Sequence, residues 1–208
     1  MGKTLNILAK VISFVFHPLL MVVYLSFVML FAPVLVPKFP FISKLYVVGI
    51  VFVFYVLIPF NISVLLKYFC SVKNFHFEEK KENFIQYFLV IISFIAGLRI
   101  LVAVNTPATF VFIMRGVVLT MLLYSIVSVF TKVCGYAVSI GGAFNINYLL
   151  CIMYGIDLSN SAIIIALLIG IVGWSCLYFK RHTMDQIIYG LILGYLSMKL
   201  SLYLYAFL

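Results

Sequence analysis

The densest group of chemically capable side chains is Lys180-Arg181-His182-Thr183-Met184-Asp185-Gln186. It stands directly before an apolar run, where a helix is expected to start. The first N–H groups of a helix lack intrahelical partners and favour an anion. Two cations and a histidine at such a place suit a phosphate, Arg offering a planar fork and Lys a point charge. The same residues also make an ordinary basic turn ahead of a membrane helix, and chemistry alone weighs the two readings evenly.

Other candidates are sparser. Arg99 and Arg115 flank Asn105-Thr106-Pro107, and Asp157 is expected at the same interface. An ionisable group inside a membrane segment is costly, which makes each a functional candidate. Snorkelling or a structural Arg–Asp pair is the favoured account, because both arginines stand about two turns from a helix end. His17 precedes Pro18 at the opening of the first apolar run and suits a structural donor. His76 sits in a polar stretch with no partner pattern. The cysteines, Cys70, Cys134, Cys151 and Cys176, form neither a C-x-x-C pair nor a Cys/His cluster at ligand spacing. No disulfide framework, structural zinc, other metal or cofactor is expected. Three of the four fall in or beside apolar runs, where free Cys acts as a small hydrophobe.

The elements that must position these residues are membrane helices. The 208-residue chain is 66% hydrophobic and 9% charged. A soluble domain carries about 25% charged residues, so this chain lacks the polar surface to cover a water-borne core. Phe and Tyr dominate an aromatic share of 17%, and Tyr suits the membrane–water interface. A span needs roughly 20 mainly apolar residues. On that ruler the candidates are 12–36, 45–66, 84–104, 109–130, 134–154, 159–178 and 184–206. The expectation is an all-α polytopic bundle of about six to seven spans, forming one integral membrane domain over 1–208. The fifth candidate carries Ser139, Gly141, Gly142, Asn145 and Asn147, so it reads as a broken or bundle-buried helix. Lys3 and Lys10 precede a run too long for a signal-peptide core, which reads as a retained first span.

Connections are short, apart from the polar stretch 67–83 with its lysines and glutamates. Seven passes would put the N-terminus, 67–83, 131–133 and 179–183 on one basic face, expected to be cytoplasmic. The net charge of +9 therefore reads as topology-setting charge, and no nucleic-acid partner is expected.

Two stretches carry a resemblance. His182-Thr183-x-x-Gln186 followed by Gly190 and Gly194 resembles the last motif of the type 2 phosphatidic acid phosphatase and haloperoxidase superfamily. It is similar to short bacterial membrane members reading H-T-x-x-Q-x-x-x-G-x-x-x-G. About fifty residues upstream, Lys132-Val133-Cys134-Gly135-Tyr136 with Ile140-Gly141-Gly142 resembles the middle motif, where a short Ser-x-His core precedes a glycine pair. Together they cover about a quarter of the chain, with two spans between them.

The resemblance implies a phosphatidic-acid-phosphatase-like bundle in a bacterial inner membrane, with membrane lipids and lipid phosphates as partners. It makes His182 the counterpart of the histidine that attacks phosphorus. The orienting acid becomes Gln186, which accepts a hydrogen bond but cannot balance an imidazolium. Asp185 stands one residue off register, about 100° round a helix. The phosphate-clamping arginine falls on Cys176, and the proton-donating histidine falls on Tyr136, a phenol poorly matched to neutral pH. The first motif, expected near residues 73–90, lacks its Arg-Pro, with Gln86 near the proline position. Lys132, Lys180 and Arg181 remain as phosphate-binding cations. The family's site faces away from the cytoplasm, whereas the charge count puts His182 on the cytoplasmic face.

The leading expectation is a decayed member that binds lipid phosphate without hydrolysing it, or serves in a membrane assembly with protein partners. Losing a main cation clamp removes several powers of ten in phosphoryl-transfer rate. An active lipid phosphate phosphatase would use His182 as nucleophile and Tyr136 as proton donor. A transporter or channel component would draw on Arg99, Arg115, Asp157 and the polar fifth span.

Overall fold

The computed structural model describes residues 2–31, 39–69, 80–155, 157 and 159–206, and these are all-helical with no strand. In chain order the helices are α1 (Gly2–Val15), α2 (Pro18–Phe31), α3 (Phe41–Phe52), a π-helical turn (Val53–Leu57) running into α4 (Ile58–Phe69), α5 (Lys80–Ala103), α6 (Ala108–Phe130), α7 (Gly135–Tyr154), α8 (Ser159–Tyr178) and α9 (Met184–Ala206). Cys70, Lys73, His76, Glu78 and Glu79 lie outside the described residues, as do Pro37 and Lys38.

Among the described residues, five segments are long and apolar enough to cross a membrane: Phe41–Leu66, Ile85–Ala103, Ala108–Phe130, Gly135–Tyr154 and Ser159–Tyr178. The chain is thus a multi-pass integral membrane protein. The first expected span is two helices bent by 59°, and counting that pair gives six. Pro18 causes the break, because it has no N–H to continue α1. It opens α2 instead, while the His17 carbonyl accepts from the Leu20 and Met21 N–H groups at 2.8 and 3.1 Å. The expected seventh span is a 23-residue helix, α9. Against an expectation of six to seven spans, the described residues give five, or six with the bent pair.

The turn at Asn105-Thr106-Pro107 divides α5 from α6 as the sequence implies. Asn105 takes the left-handed conformation at φ 55, which Asn tolerates better than most residues. Thr106 closes α5 by donating its hydroxyl to the Leu101 carbonyl at 2.7 Å. The fifth span is one continuous helix, α7, and its window is 50% buried, the largest share of the five. Its small residues therefore serve burial rather than a break.

A large core joins α2, α3, α5 and α6, with Ile146 and Leu150 from α7 and Met198 from α9. The π turn places Tyr55 in it, fully buried, with its hydroxyl donating to the Phe94 carbonyl at 3.2 Å. A second cluster, containing Cys134, Ala137, Ile140, Val172, Cys176 and Ile187, lies at the end of the bundle where α7 and α9 begin. Outward-facing Ile163, Ile164, Leu167 and Ile171 of α8 are exposed, as a lipid-facing stripe requires.

One core position is polar without compensation. Asn145 is 1% exposed, and neither polar atom of its amide has a hydrogen-bond partner among the described residues. An unpaired buried amide costs about 1–3 kcal/mol. Asn145→Leu is expected to raise the thermal midpoint in detergent, at about 2–4 °C per kcal/mol for a chain of this size. A lowered midpoint would overturn this.

Candidate functional site

The site is built where α8 ends and α7 and α9 begin. Lys180 ends α8 in the left-handed conformation, φ 51. The Lys180 N–H donates to the Leu177 carbonyl at 2.9 Å and the Arg181 N–H to the Cys176 carbonyl at 3.2 Å. Those bonds satisfy carbonyls at the helix end. They also turn Arg181 and His182 back over the bundle.

Thr183 then starts α9. The Thr183 N–H donates to Gln186 Oε1 at 3.3 Å. This is the return half of a capping box, in which the third helical residue reaches back to the cap. The same Gln186 Oε1 accepts from His182 Nδ1 at 3.0 Å. One amide oxygen thus caps the helix and fixes the imidazole. Asp185 points to solvent.

The two resembling stretches meet here. The Cys134 N–H donates to the Gln186 carbonyl at 3.3 Å, tying the start of α7 to the start of α9. The Cys134 sulfur stands 3.8 Å from the Cys176 sulfur. His182 lies beside the Cys134 side chain. Cys134 and Cys176 are 1% and 3% exposed, whereas His182, Gln186 and Tyr136 are half-buried.

Lys132, Lys180 and Arg181 are exposed at this same end. Arg181 lies over the Phe179 ring at 4.9 Å, and its charge reaches His182 and Tyr136. The Tyr136 ring meets the His17 ring edge-on at 5.9 Å. Ser13 and Ser175 share a hydrogen bond of 2.7 Å, and Ser175 donates to the Ala9 carbonyl at 3.0 Å, so α1 braces α8 just below. Gln86, expected near the first motif, donates instead to Ser63 at 2.8 Å, joining α5 to α4.

Electrostatics follow from this packing. Hydrogen bonding to Cys134 raises the His182 pKa above 6.5, against burial and the Arg181 charge, which lower it. The Cys134 thiol is held below the ordinary thiol range. The bond from Cys176 is the main cause, His182 adds to it, and burial opposes it.

The alternative polar residues are dispersed. Arg99 and Arg115 are exposed on α5 and α6. Asp157 accepts from the Ser159 N–H at 2.9 Å and from the Ser159 hydroxyl, which holds its carboxyl below the usual range and caps α8. Asp157 thus has a local structural task.

Cys134, Cys176 and His17 are the site residues that sequence reasoning did not assign. The only signal for the cysteines is their register, Cys176 six residues before His182 and Cys134 two before Tyr136. Among the described residues no three His, Cys, Asp or Glu side chains converge as metal ligands. No family model, curated protein or solved structure matches this chain.

Proposed function

We propose that the chain is a membrane protein related to the phosphatidic acid phosphatases that binds the phosphate of a membrane lipid without hydrolysing it. The observation that carries this reading is the state of His182. Its Nδ1 is committed to the neutral Gln186 amide, and the ring lies beside the Cys134 thiol. A histidine that attacks phosphorus needs a free, unprotonated nitrogen. An imidazolium beside exposed Lys132, Lys180 and Arg181 instead adds one more positive charge to an anion seat. The missing clamp supports the same reading, since Cys176 is a buried thiol bonded to another thiol.

The test uses the purified chain in mild detergent, with a lipid phosphate monoester against a zwitterionic lipid of the same acyl length. Saturable binding of the monoester, weakened by Arg181→Gln, with no phosphate release above the protein-free blank, is expected. Release that disappears in His182→Ala would overturn it and establish a hydrolase. Equal binding of both lipids would remove the phosphate assignment.

A further inference from the structure

We propose that Cys134 and Cys176 are a reversible dithiol–disulfide pair that, once oxidised, staples the start of α7 to the last turn of α8. The inference does not depend on phosphate binding or on the state of His182. It rests on the distance between two sulfurs, on the backbone bonds that hold them and on the space beside them.

Both cysteines are free thiols, and their sulfurs stand 3.8 Å apart. A sulfur–sulfur bond is about 2.05 Å long, so a gap of less than about 2 Å remains to be closed. The two thiols line the same small cavity, with Ala137 and Ile140 of α7 and Val172 and Gly173 of α8. Closure therefore draws the sulfurs toward empty space rather than against packed atoms. The α8 side also has slack, since a Cβ added at Gly173 would meet nothing within 4 Å.

The backbone keeps the two thiols facing each other. The Cys134 N–H donates to the Gln186 carbonyl at 3.3 Å, and the Cys134 carbonyl accepts from the Val138 N–H at 3.1 Å. The Cys176 carbonyl accepts from the Arg181 N–H at 3.2 Å. Whichever sulfur is oxidised first is thus met by the other within the same molecule, as fixed proximity favours. Cys151 has no such access. It lies near the far end of α7, about 25 Å along the axis from Cys134 at 1.5 Å per residue.

Cys134 is the sulfur that reacts first. It caps the N-terminus of α7, where the helix dipole favours a thiolate. With a small diazene as oxidant, the Cys134 thiolate adds to one nitrogen of the nitrogen–nitrogen double bond, and the other nitrogen takes a proton. Cys176 then attacks the Cys134 sulfur. The sulfur–sulfur bond forms, the sulfur–nitrogen bond breaks, and the departing nitrogen takes the Cys176 proton. The pair has lost two electrons and two protons, and the diazene has become a hydrazine. A dithiol reverses the step by exchange.

The two positions are 42 apart in the chain, so the bond closes a long loop and constrains the unfolded ensemble. A stabilised fold is the consequence, with the turn that carries Lys180, Arg181 and His182 tied to the start of α7.

Purified full-length chain in mild detergent is treated with diamide, denatured, alkylated, and read by intact mass and non-reducing peptide mapping. The expected result is a monomer lighter by two hydrogens before alkylation, with Cys134 and Cys176 in one crosslinked peptide pair and Cys151 alkylated. Dithiothreitol should restore both thiols. The oxidised chain should melt about 10 °C above the reduced one, the size expected for a loop of this length in a chain of this size. Cys134 and Cys176 both alkylated after diamide, or crosslinks to Cys151 in equal yield, overturn the pairing. A Cys134–Cys176 disulfide that leaves the midpoint unmoved or lower overturns the staple.

Discussion

Gly194→Ala is expected to destroy the fold rather than weaken it. Helices α7 and α9 run parallel with their backbones in contact. A Cβ on Gly194 would overlap the Val138 carbonyl oxygen and stand 2.9 Å from the Gly142 nitrogen. On the facing helix, a Cβ on Gly141 would overlap the Leu191 carbonyl oxygen. These obstacles are backbone atoms of rigid helices, so neither side can yield by changing a rotamer. Overpacking of that kind costs about 3 kcal/mol or more, a large part of the net stability of a domain. The substituted protein should aggregate on size-exclusion chromatography in detergent, or melt at least 10 °C lower. Gly170→Ala and Gly49→Ala, where a Cβ meets nothing within 4 Å, should leave the profile unchanged. A Gly194→Ala protein melting with its parent would mean that the helices separate at little cost.

Much of this packing was legible in outline. The apolar runs locate the helices because a segment without water must satisfy its backbone within itself. The Asn105-Thr106-Pro107 break is legible because proline and a left-handed Asn are local. The π turn at Val53–Leu57 has no local signal. It exists because Tyr55 and Ser93 bond across to backbone carbonyls of the partner helices, and such tertiary bonds leave no trace in a periodicity.

The site divides in the same way. Gln186 three residues after Thr183 reads as a helix start, and its bond to His182 is a matter of helix register. The two resembling stretches could be paired from their spacing. What spacing could not give is the thiol beside the imidazole. Cys134 lies 48 positions before His182, and only the close approach of α7 to α9 unites them. Gly190 makes that approach feasible, since a Cβ there would stand 2.7 Å from the Cys134 carbonyl oxygen. Glycines that read as motif matches are, in the structure, the reason a thiol reaches the histidine. Register placed Cys176 and Cys134 at or near positions that hold polar residues in the resembling family, and apolar context then classed them as hydrophobes.

Lipid phosphate binding should weaken about tenfold as pH rises through the His182 pKa. That pKa is raised above 6.5, chiefly by the bond to Cys134. A group raised in the folded state exerts its full stabilising effect below its unfolded pKa, and loses it as pH climbs through the folded value. The histidine therefore carries its charge throughout pH 5–6.5 and releases it above, when the anion seat loses one positive charge. One charge-assisted contact is worth about 1.5 kcal/mol, which corresponds to roughly tenfold in affinity. In His182→Ala the affinity should be weak and flat with pH. In Cys134→Ser the midpoint should move down toward 6.5, because the group that raises it is gone. A midpoint unmoved by Cys134→Ser would mean that the thiol does not govern the imidazole. A pH-independent affinity in the parent would mean that His182 takes no part in holding the anion.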